Sequence, residues 1–198
     1  MWEDRYAATD DYAFGRAPAH VLTENPWTWS DASTALCVAD GEGRNGVHLA
    51  RQGLSVTTFD VAPTAVMRAQ MLASEAGVEV DANVSEWGGW DWSASFDLLV
   101  AIFVQYTGPD QRPAQFADLK AATKPGGRLL LHGFTPEQID KGTGGPPVAE
   151  NMYTEELLVE SFGDWDILRL ATYEREQTSG TSHVGNAALI DLVVQRPT

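Results

Sequence analysis

The chain has 198 residues, 43% hydrophobic and 21% charged, which is ordinary for a folded globular protein. Its single cysteine, Cys37, excludes an intrachain disulfide and a cysteine-rich zinc site, so we expect a reducing compartment, the cytoplasm. A net charge of −15 without clustered basic residues argues against a nucleic-acid partner. The apolar run 98–104 is too short to span a bilayer, so we expect no membrane partner.

Strands and helices alternate along the first two thirds of the chain. Short apolar runs bounded by turn residues predict strands at 35–38, 55–60, 78–80, 96–103 and 128–132. Helices are predicted between them: one with Val47 and Leu49 on its apolar face, one from Pro63 to a stop at Gly77, and one opening at Pro113. This alternation is typical of a mostly parallel sheet with helices on both faces.

The last third of the chain carries a different pattern. A loop is predicted at 136–147 and a last helix at 155–162, followed by strands at 165–173 and 187–194. The polar segment between those two strands is longer than a tight hairpin needs, and it contains no helix, so one strand must run antiparallel. The prediction is a doubly wound, mostly parallel seven-stranded sheet with an antiparallel C-terminal strand at its edge.

A glycine-rich loop follows the first predicted strand. Gly41, Gly43 and Gly46 form the pattern G-x-G-x-x-G, and Asp60 ends the next strand. Glycines let a ligand approach the backbone, and a carboxylate at that strand end can accept hydrogen bonds from a ribose diol. The alternative is a tight turn at the glycines and a helix cap at Asp60; the combined context favours a nucleoside site.

The same glycine pattern is that of dinucleotide-binding proteins, so an NAD-binding oxidoreductase of the Rossmann type is a competing interpretation. Two observations weigh against it. The chain leaves little room for a substrate domain, and no tyrosine is followed four residues later by a lysine.

Further segments carry a family resemblance. They are Trp2-x-x-Arg5-Tyr6, Tyr12-x-Phe14-Gly15-x-x-Pro18, Gly41-Glu42-Gly43-Arg44-Asn45, Phe96-Asp97-Leu98-Leu99-Val100, Lys124-Pro125-Gly126-Gly127, Phe134-Thr135-Pro136-Glu137-Gln138 and Thr143-Gly144-Gly145-Pro146-Pro147. Over nearly its full length the chain resembles the class I S-adenosylmethionine (SAM)-dependent methyltransferases, in particular a bacterial subgroup related to the tellurite-resistance and thiopurine methyltransferases. The resemblance implies a Rossmann-like methyltransferase fold in one domain, 1–198, with a cofactor-covering segment, 1–30, and a core, 31–198.

The resemblance also implies the cofactor, SAM, with S-adenosylhomocysteine as product, and a set of binding residues. Asp60 would bind the ribose hydroxyls. The other implied binding residues lie in the N-terminal segment, in the glycine loop and at the strand ends, and they are Trp2, Arg5, Tyr6, Ala39, Asp40, Gly41, Gly43, Asn45, Val61, Asn83, Val84, Ala101 and Ile102. Three positions depart from the family pattern, since Cys37 and Asn83 replace acids and Ala39 replaces a glycine.

Methyl transfer from SAM is an in-line displacement in which alignment supplies most of the acceleration. The implied acceptor is a small molecule with a thiol, chalcogen or hydroxyl nucleophile. Candidates for a base or positioning group are His183, Gln105 and Tyr106, with Tyr153 as a further one. Since no residue is indispensable to this chemistry, a catalytically silent SAM-binding protein is a third hypothesis.

Several aromatic and histidine residues have two interpretations. Trp87, Trp90 and Trp92 could shield an adenine, although packing between helix and sheet is the commoner role. The histidines show no metal-ligand spacing, so we expect no metal site, and His132 is expected in the core. The loop with Gly144 and Gly145 is either a lid or a rigid connection.

Overall fold

A computed structural model describes residues 2–180 and 183–198, with the backbone only at Ser179 and His183. Seven strands form one sheet, and their bounds are β1 (Thr34–Val38), β2 (Ser55–Asp60), β3 (Asp81–Val84), β4 (Phe96–Ile102), β5 (Thr123–Phe134), β6 (Asp166–Ser179) and β7 (His183–Gln195). The described α-helices are α1 (Trp2–Ala7), α2 (His20–Glu24), α3 (Arg44–Arg51), α4 (Pro63–Ala76), α5 (Arg112–Ala121) and α6 (Glu155–Phe162).

The strand order is β3-β2-β1-β4-β5-β7-β6. Neighbours from β3 to β5 pair in parallel, and β7 pairs antiparallel with both β5 and β6. The predicted doubly wound sheet with one antiparallel C-terminal strand is confirmed. The antiparallel strand is not at the edge, however: β7 lies between β5 and β6, and β6 is outermost.

Two apolar layers cover the sheet because successive strand residues point to opposite faces. Leu99 and Leu129 face a cluster that includes Phe116 of α5 and Phe162 of α6. Leu98, Leu130 and Val193 face the other way, onto α2 and α3. Helix α4 extends this second layer, where its Leu72 packs with Val47 of α3. Helices therefore lie on both faces, as predicted.

The third strand lies later in the chain than predicted. Residues 78–80 are not in a strand, and β3 begins at Asp81. Gly77 ends α4 in a left-handed conformation, and the Val78 N–H donates to the carbonyl of Ala73. Val78 and Val80 pack beside the helix as an apolar cap instead of pairing with β2. Two of the four pairing residues, Asp81 and Asn83, are polar, which an edge strand tolerates.

The polar segment predicted as a long connection is mostly strand. The hairpin pairs Glu176 with Asn186 and Thr178 with Val184, so that β6 continues to Ser179 and β7 already begins at His183. Glu174, Glu176 and Asn186 of this hairpin are exposed, and exposed strand positions accept polar and charged side chains. The predicted loop at 136–147 also begins with a 3-10 helix, Pro136–Lys141.

Gln105 fastens the carboxyl ends of β4 and β5 together. Its side-chain amide donates to the carbonyl of Phe134 at 2.8 Å and accepts from the Phe134 N–H at 2.7 Å. The side chain is buried, so both of its polar ends are committed to the backbone. This geometry gives Gln105 a structural role, in contrast with its prediction as a catalytic candidate.

Replacing Gln105 with leucine removes the side-chain oxygen that accepts from the buried Phe134 N–H and the amide that donates to the Phe134 carbonyl. We expect the Q105L variant to lose about 1–3 kcal/mol of unfolding free energy, measured by urea denaturation. The matched control is Q52L, at an exposed position after α3, which should change stability by less than about 0.5 kcal/mol. Equal effects of the two variants would contradict the role given to Gln105.

Candidate functional site

The loop between β1 and α3 lies at the carboxyl edge of the sheet, where ligands bind in open α/β folds. Ala39, Gly41 and Gly43 have left-handed φ angles of 48°, 57° and 82°. A Cβ atom on Gly41 would lie 2.5 Å from the Tyr6 hydroxyl, and one on Gly43 would lie 2.5 Å from the Ala69 Cβ. The loop therefore requires glycine at both positions.

Asp40 ties this loop to the start of α3. Its carboxylate accepts from the Gly46 N–H at 2.9 Å and from the Asn45 side-chain amide at 3.0 Å. Asn45 in turn accepts from the Ala19 N–H at 2.9 Å. Burial raises the pKa of Asp40 to about 6, although these hydrogen bonds oppose the shift. Cys37, where the family resemblance led us to expect an acid, is buried in the apolar core.

Asp60 joins the tip of β2 to the glycine loop. One carboxylate oxygen accepts from the Gly41 N–H at 2.9 Å, and the other accepts from the Ala62 N–H at 3.0 Å. Burial raises the pKa of Asp60, and the backbone hydrogen bonds oppose that shift. Each oxygen of an ionised carboxylate can accept a second hydrogen bond, so Asp60 retains capacity for a diol.

Exposed apolar side chains flank Asp60. Val61 is 45% exposed and Val84 is 56% exposed, and Val84 pairs directly with Asp60 in the sheet. Tyr106, after β4, is 43% exposed. Partial burial is the main cause that raises the pKa of Tyr106, and the negative charge of Asp60 raises it further. The edge thus presents a carboxylate between apolar surfaces, an arrangement that suits a nucleoside.

The three tryptophans pack between the sheet and α5. Trp90 stacks on Phe59 with ring centroids 4.5 Å apart, and Trp87 lies 4.7 Å from Trp92. The Trp87 indole N–H donates to Asp118 of α5 at 2.7 Å. These contacts favour the packing interpretation over an adenine shield.

The N-terminal segment lies over the glycine loop. Glu3 of α1 accepts from the backbone N–H and the hydroxyl of Thr64, at the start of α4. Tyr6 is buried against Gly41, and burial together with the charge of Asp60 raises the pKa of its hydroxyl. Arg5 lies over the rings of Trp2 and Phe14 at 5.3 and 5.0 Å. The segment predicted to cover a cofactor therefore contacts the predicted loop directly.

The remaining predicted residues are placed differently. Ala101 and Ile102 are buried at the end of β4, beside β1. Asn83 donates to the carbonyl of Asp81, and it lies within β3 rather than after it. Tyr153 is buried in the core. The side chain of His183 lies outside the described residues; its backbone begins β7, not a long loop.

Four residues that sequence reasoning did not connect form a partly buried polar cluster at the same edge. They are His20, His132, Tyr173 and Asp191. The sequence gives no local spacing for this cluster because its members come from α2, β5, β6 and β7. A usable signal was the presence of His132 and Asp191 in otherwise apolar strand segments.

A cavity of about 910 Å³ lies at the opposite end of the molecule, lined by Leu54, Ser55, Ala73 and Val80 among others. It opens at the amino ends of β2 and β3, and parallel sheets bind ligands at the carboxyl ends. The candidate functional site is therefore the one at the glycine loop. Within residues 2–180 and 183–198, no group of three or more His, Cys, Asp or Glu side chains is placed so that it could hold a metal ion. Across the same residues, the helices include none suited in length and apolarity to cross a membrane.

The fold is the Rossmann-like fold of SAM-dependent methyltransferases. The structure of N-methyltransferase NodS from Bradyrhizobium japonicum WM9 in complex with S-adenosyl-L-homocysteine superimposes with a TM-score of 0.76 at 16% identity, covering 100% of this chain and 97% of that one. TehB from Haemophilus influenzae gives a TM-score of 0.72 at 16% identity, covering 99% of this chain and 67% of that one.

Sequence comparison also finds similarity to methyltransferases. Residues 35–127, from β1 to the start of β5, match a family model described as a methyltransferase domain. A ubiquinone biosynthesis O-methyltransferase from Xylella fastidiosa (strain 9a5c) is 34% identical over 99 residues, 48% of this chain. The aligned part spans only 39% of that relative.

The raised pKa of Asp40 has a consequence for stability. An unfolded aspartate has a pKa of about 4, so between about pH 4 and pH 6 Asp40 binds more protons in the native state, and its own contribution to the unfolding free energy falls with rising pH. D40N lacks this ionisation. The stability of D40N relative to the wild type should therefore rise by about 1–3 kcal/mol over that range and then level off. A difference that stays constant with pH, in denaturation curves taken at several pH values, would contradict the burial of a charge at Asp40.

Proposed function

We propose that this protein is a SAM-dependent methyltransferase that acts on a small molecule, with S-adenosylhomocysteine as the second product. The observation that carries the proposal is Asp60, a largely buried carboxylate held by the Gly41 and Ala62 N–H groups between two exposed valines. A nucleoside fits these groups, since a ribose diol needs acceptors and a base needs apolar surfaces.

Different residues along the sheet edge would bind different parts of the ligand. Asp60 would bind the ribose, with Val61, Asn83 and Val84 around the adenine. The loop from Ala39 to Gly43, with Asn45 behind it, would hold the methionine part, beside Ala101 and Ile102 at the end of β4.

The N-terminal segment supplies the cover over this site. Trp2, Arg5 and Tyr6 would close over the ligand, and aromatic faces suit its cationic sulfonium. Residues 1–30 would then serve as the covering segment of a single domain, 1–198, whose core is 31–198. The contact of Tyr6 with Gly41 supports this division.

The strand order argues against an NAD-dependent oxidoreductase. Dinucleotide-binding domains carry the order 3-2-1-4-5-6, whereas here the antiparallel β7 is inserted between β5 and β6. In the dinucleotide-binding order the sixth strand lies next to the fifth. Here β6 does not pair with β5, because β7 lies between them.

When bound, SAM supplies a methyl group on a sulfonium that leaves as a neutral thioether. The chain's own residues have to hold that methyl in line with the acceptor atom and exclude water from it, and alignment of this kind accounts for much of the rate. The buried ends of β1 and β4 and the aromatic cover provide a rigid, apolar wall for this purpose.

The acceptor we propose is a small molecule rather than a nucleic acid, because the chain has a net charge of −15. The names of the relatives refer to O-methylation and N-methylation, and so they support the reaction more than the acceptor atom. The likeness to TehB supports the bacterial subgroup that the sequence motifs resemble.

Calorimetric titration tests the binding site. The wild type should bind SAM and S-adenosylhomocysteine, and D60A should bind each about 10- to 100-fold more weakly because hydrogen bonds to a charged group are lost. The matched control is D81A, an exposed aspartate at the amino end of β3, which should bind like the wild type. Tight binding of NAD without binding of SAM would contradict the proposal.

Catalysis is tested separately from binding. Labelled SAM incubated with phenols, thiols, selenols and amines should transfer its methyl group to at least one of these acceptors. SAM binding without turnover of any acceptor would favour a catalytically silent binding protein instead.

A further inference from the structure

The partly buried cluster of His20, His132, Tyr173 and Asp191 lies beside the proposed methyl site. His132 on β5 pairs across the sheet with both Ile102 of β4 and Asp191 of β7. His20 follows Ala19, whose N–H is bound by Asn45 of the glycine-loop helix. The cluster therefore flanks the ends of β4 and β5, on the side of β1 opposite to Asp60. This is the side left for an acceptor once a nucleoside occupies the ends of β2 and β3.

Asp191 is the anionic centre of the cluster. One of its carboxylate oxygens accepts from His132 Nδ1 at 2.7 Å and from the Tyr173 hydroxyl at 2.9 Å, and the other accepts from Arg169 Nε at 2.9 Å. Burial alone would raise the pKa of Asp191, but these donors outweigh burial and lower it. Asp191 is therefore ionised and accepts hydrogen bonds from every neighbour.

The protonation states of Asp191 and Tyr173 determine which tautomer of His20 is present. Burial and the charge of Asp191 raise the pKa of Tyr173, so its hydroxyl keeps its single proton and donates it to Asp191. The contact of 2.7 Å between Tyr173 Oη and His20 Nε2 then requires the proton to be on Nε2. A neutral imidazole with a proton on Nε2 carries its lone pair on Nδ1. Among the described side chains, Nδ1 has no hydrogen-bond partner, and His20 is only partly buried.

We propose that His20 Nδ1 is the catalytic base that accepts the proton of a hydroxyl-bearing acceptor, and that Tyr173 and Asp191 are positioning residues which orient its imidazole. This inference rests on the proposed methyltransferase function. In the step, the acceptor oxygen bonds to the methyl carbon while the carbon–sulfur bond breaks and its electron pair goes to sulfur. The acceptor's proton passes to Nδ1, giving an imidazolium whose Nε2–H still donates to Tyr173.

The basicity of His20 is matched to oxygen rather than nitrogen acceptors. Burial lowers the pKa of His20 to about 4, His132 and Arg175 act in the same direction, and Glu24 and Asp191 oppose them. A hydroxyl becomes strongly acidic as its oxygen is alkylated, so even a weak base removes its proton. A methylated amine stays a weak acid and would not give its proton to this histidine. Thiols ionise readily without a protein base.

The test compares two acceptors that differ in ionisation. Catechol keeps its protons near neutral pH, whereas 4-nitrocatechol is largely ionised there. With catechol, H20Q should lose about 10²-fold or more in kcat, and Y173F should lose about tenfold. With 4-nitrocatechol, both variants should keep rates near the wild-type value, because this acceptor has already released its proton. A loss of folding or cofactor binding would lower both rates equally.

Two controls accompany these variants. H48Q removes another partly buried histidine, which packs against Trp29 outside the cluster, and it should keep the wild-type rates with both acceptors. Nitrogen-15 NMR of the ligand-free protein provides a readout independent of turnover. Between about pH 5 and pH 8, His20 should remain neutral with its proton on Nε2, and Y173F should lose this preference for one tautomer.

The outcomes separate this inference from the proposed function. If the wild type binds neither SAM nor S-adenosylhomocysteine, the proposed function fails and the inference fails with it. If the wild type binds both, the inference alone is overturned by any of three results: unchanged catechol rates in H20Q, equal losses with the two catechols, or methylation of benzenethiol with no methylation of either catechol.

Discussion

The hydrogen bond from the Gly41 N–H to Asp60 is the interaction on which the functional site depends. It joins the tips of two parallel strands, so the glycine loop and the Asp60 carboxylate are placed by the same contact. A buried carboxylate is unfavourable unless it is hydrogen-bonded, and here backbone N–H groups meet that need. The chain therefore has an acid in a fixed orientation before any ligand arrives.

Strand β1 divides the carboxyl edge of the sheet into two ends. The strand order places β2 and β3, with their exposed valines, on one side of β1, and β4, β5 and β7 on the other. Under the proposed function, the nucleoside would bind at the first end and the acceptor at the second. The same division places the His20 cluster, built on β5, β6 and β7, where a methyl acceptor would lie.

Local patterns were enough to predict most of the framework. Ser55–Asp60 and Glu155–Phe162 are found with the predicted bounds, since apolar residues and turn signals delimit both. The order strand, glycine loop, helix, strand and terminal acid also placed Asp60 and the loop at the same edge of the sheet, although it did not predict the hydrogen bond between them. The position of β3 and the extent of the final hairpin did not, because an edge strand and an exposed ribbon tolerate polar residues. Gln105 and the His20 cluster depend on contacts between residues far apart in sequence, which no local pattern encodes.

The central claim is that Asp60 binds a ribose diol, and a double-mutant cycle across protein and ligand tests it most directly. Calorimetry would compare S-adenosylhomocysteine with its 2′,3′-dideoxy analogue, on the wild type and on D60A. Loss of the diol should weaken binding to the wild type by about 10-fold or more but leave binding to D60A nearly unchanged, giving a coupling energy above about 1 kcal/mol. Equal losses on both proteins, and hence no coupling, would contradict the account.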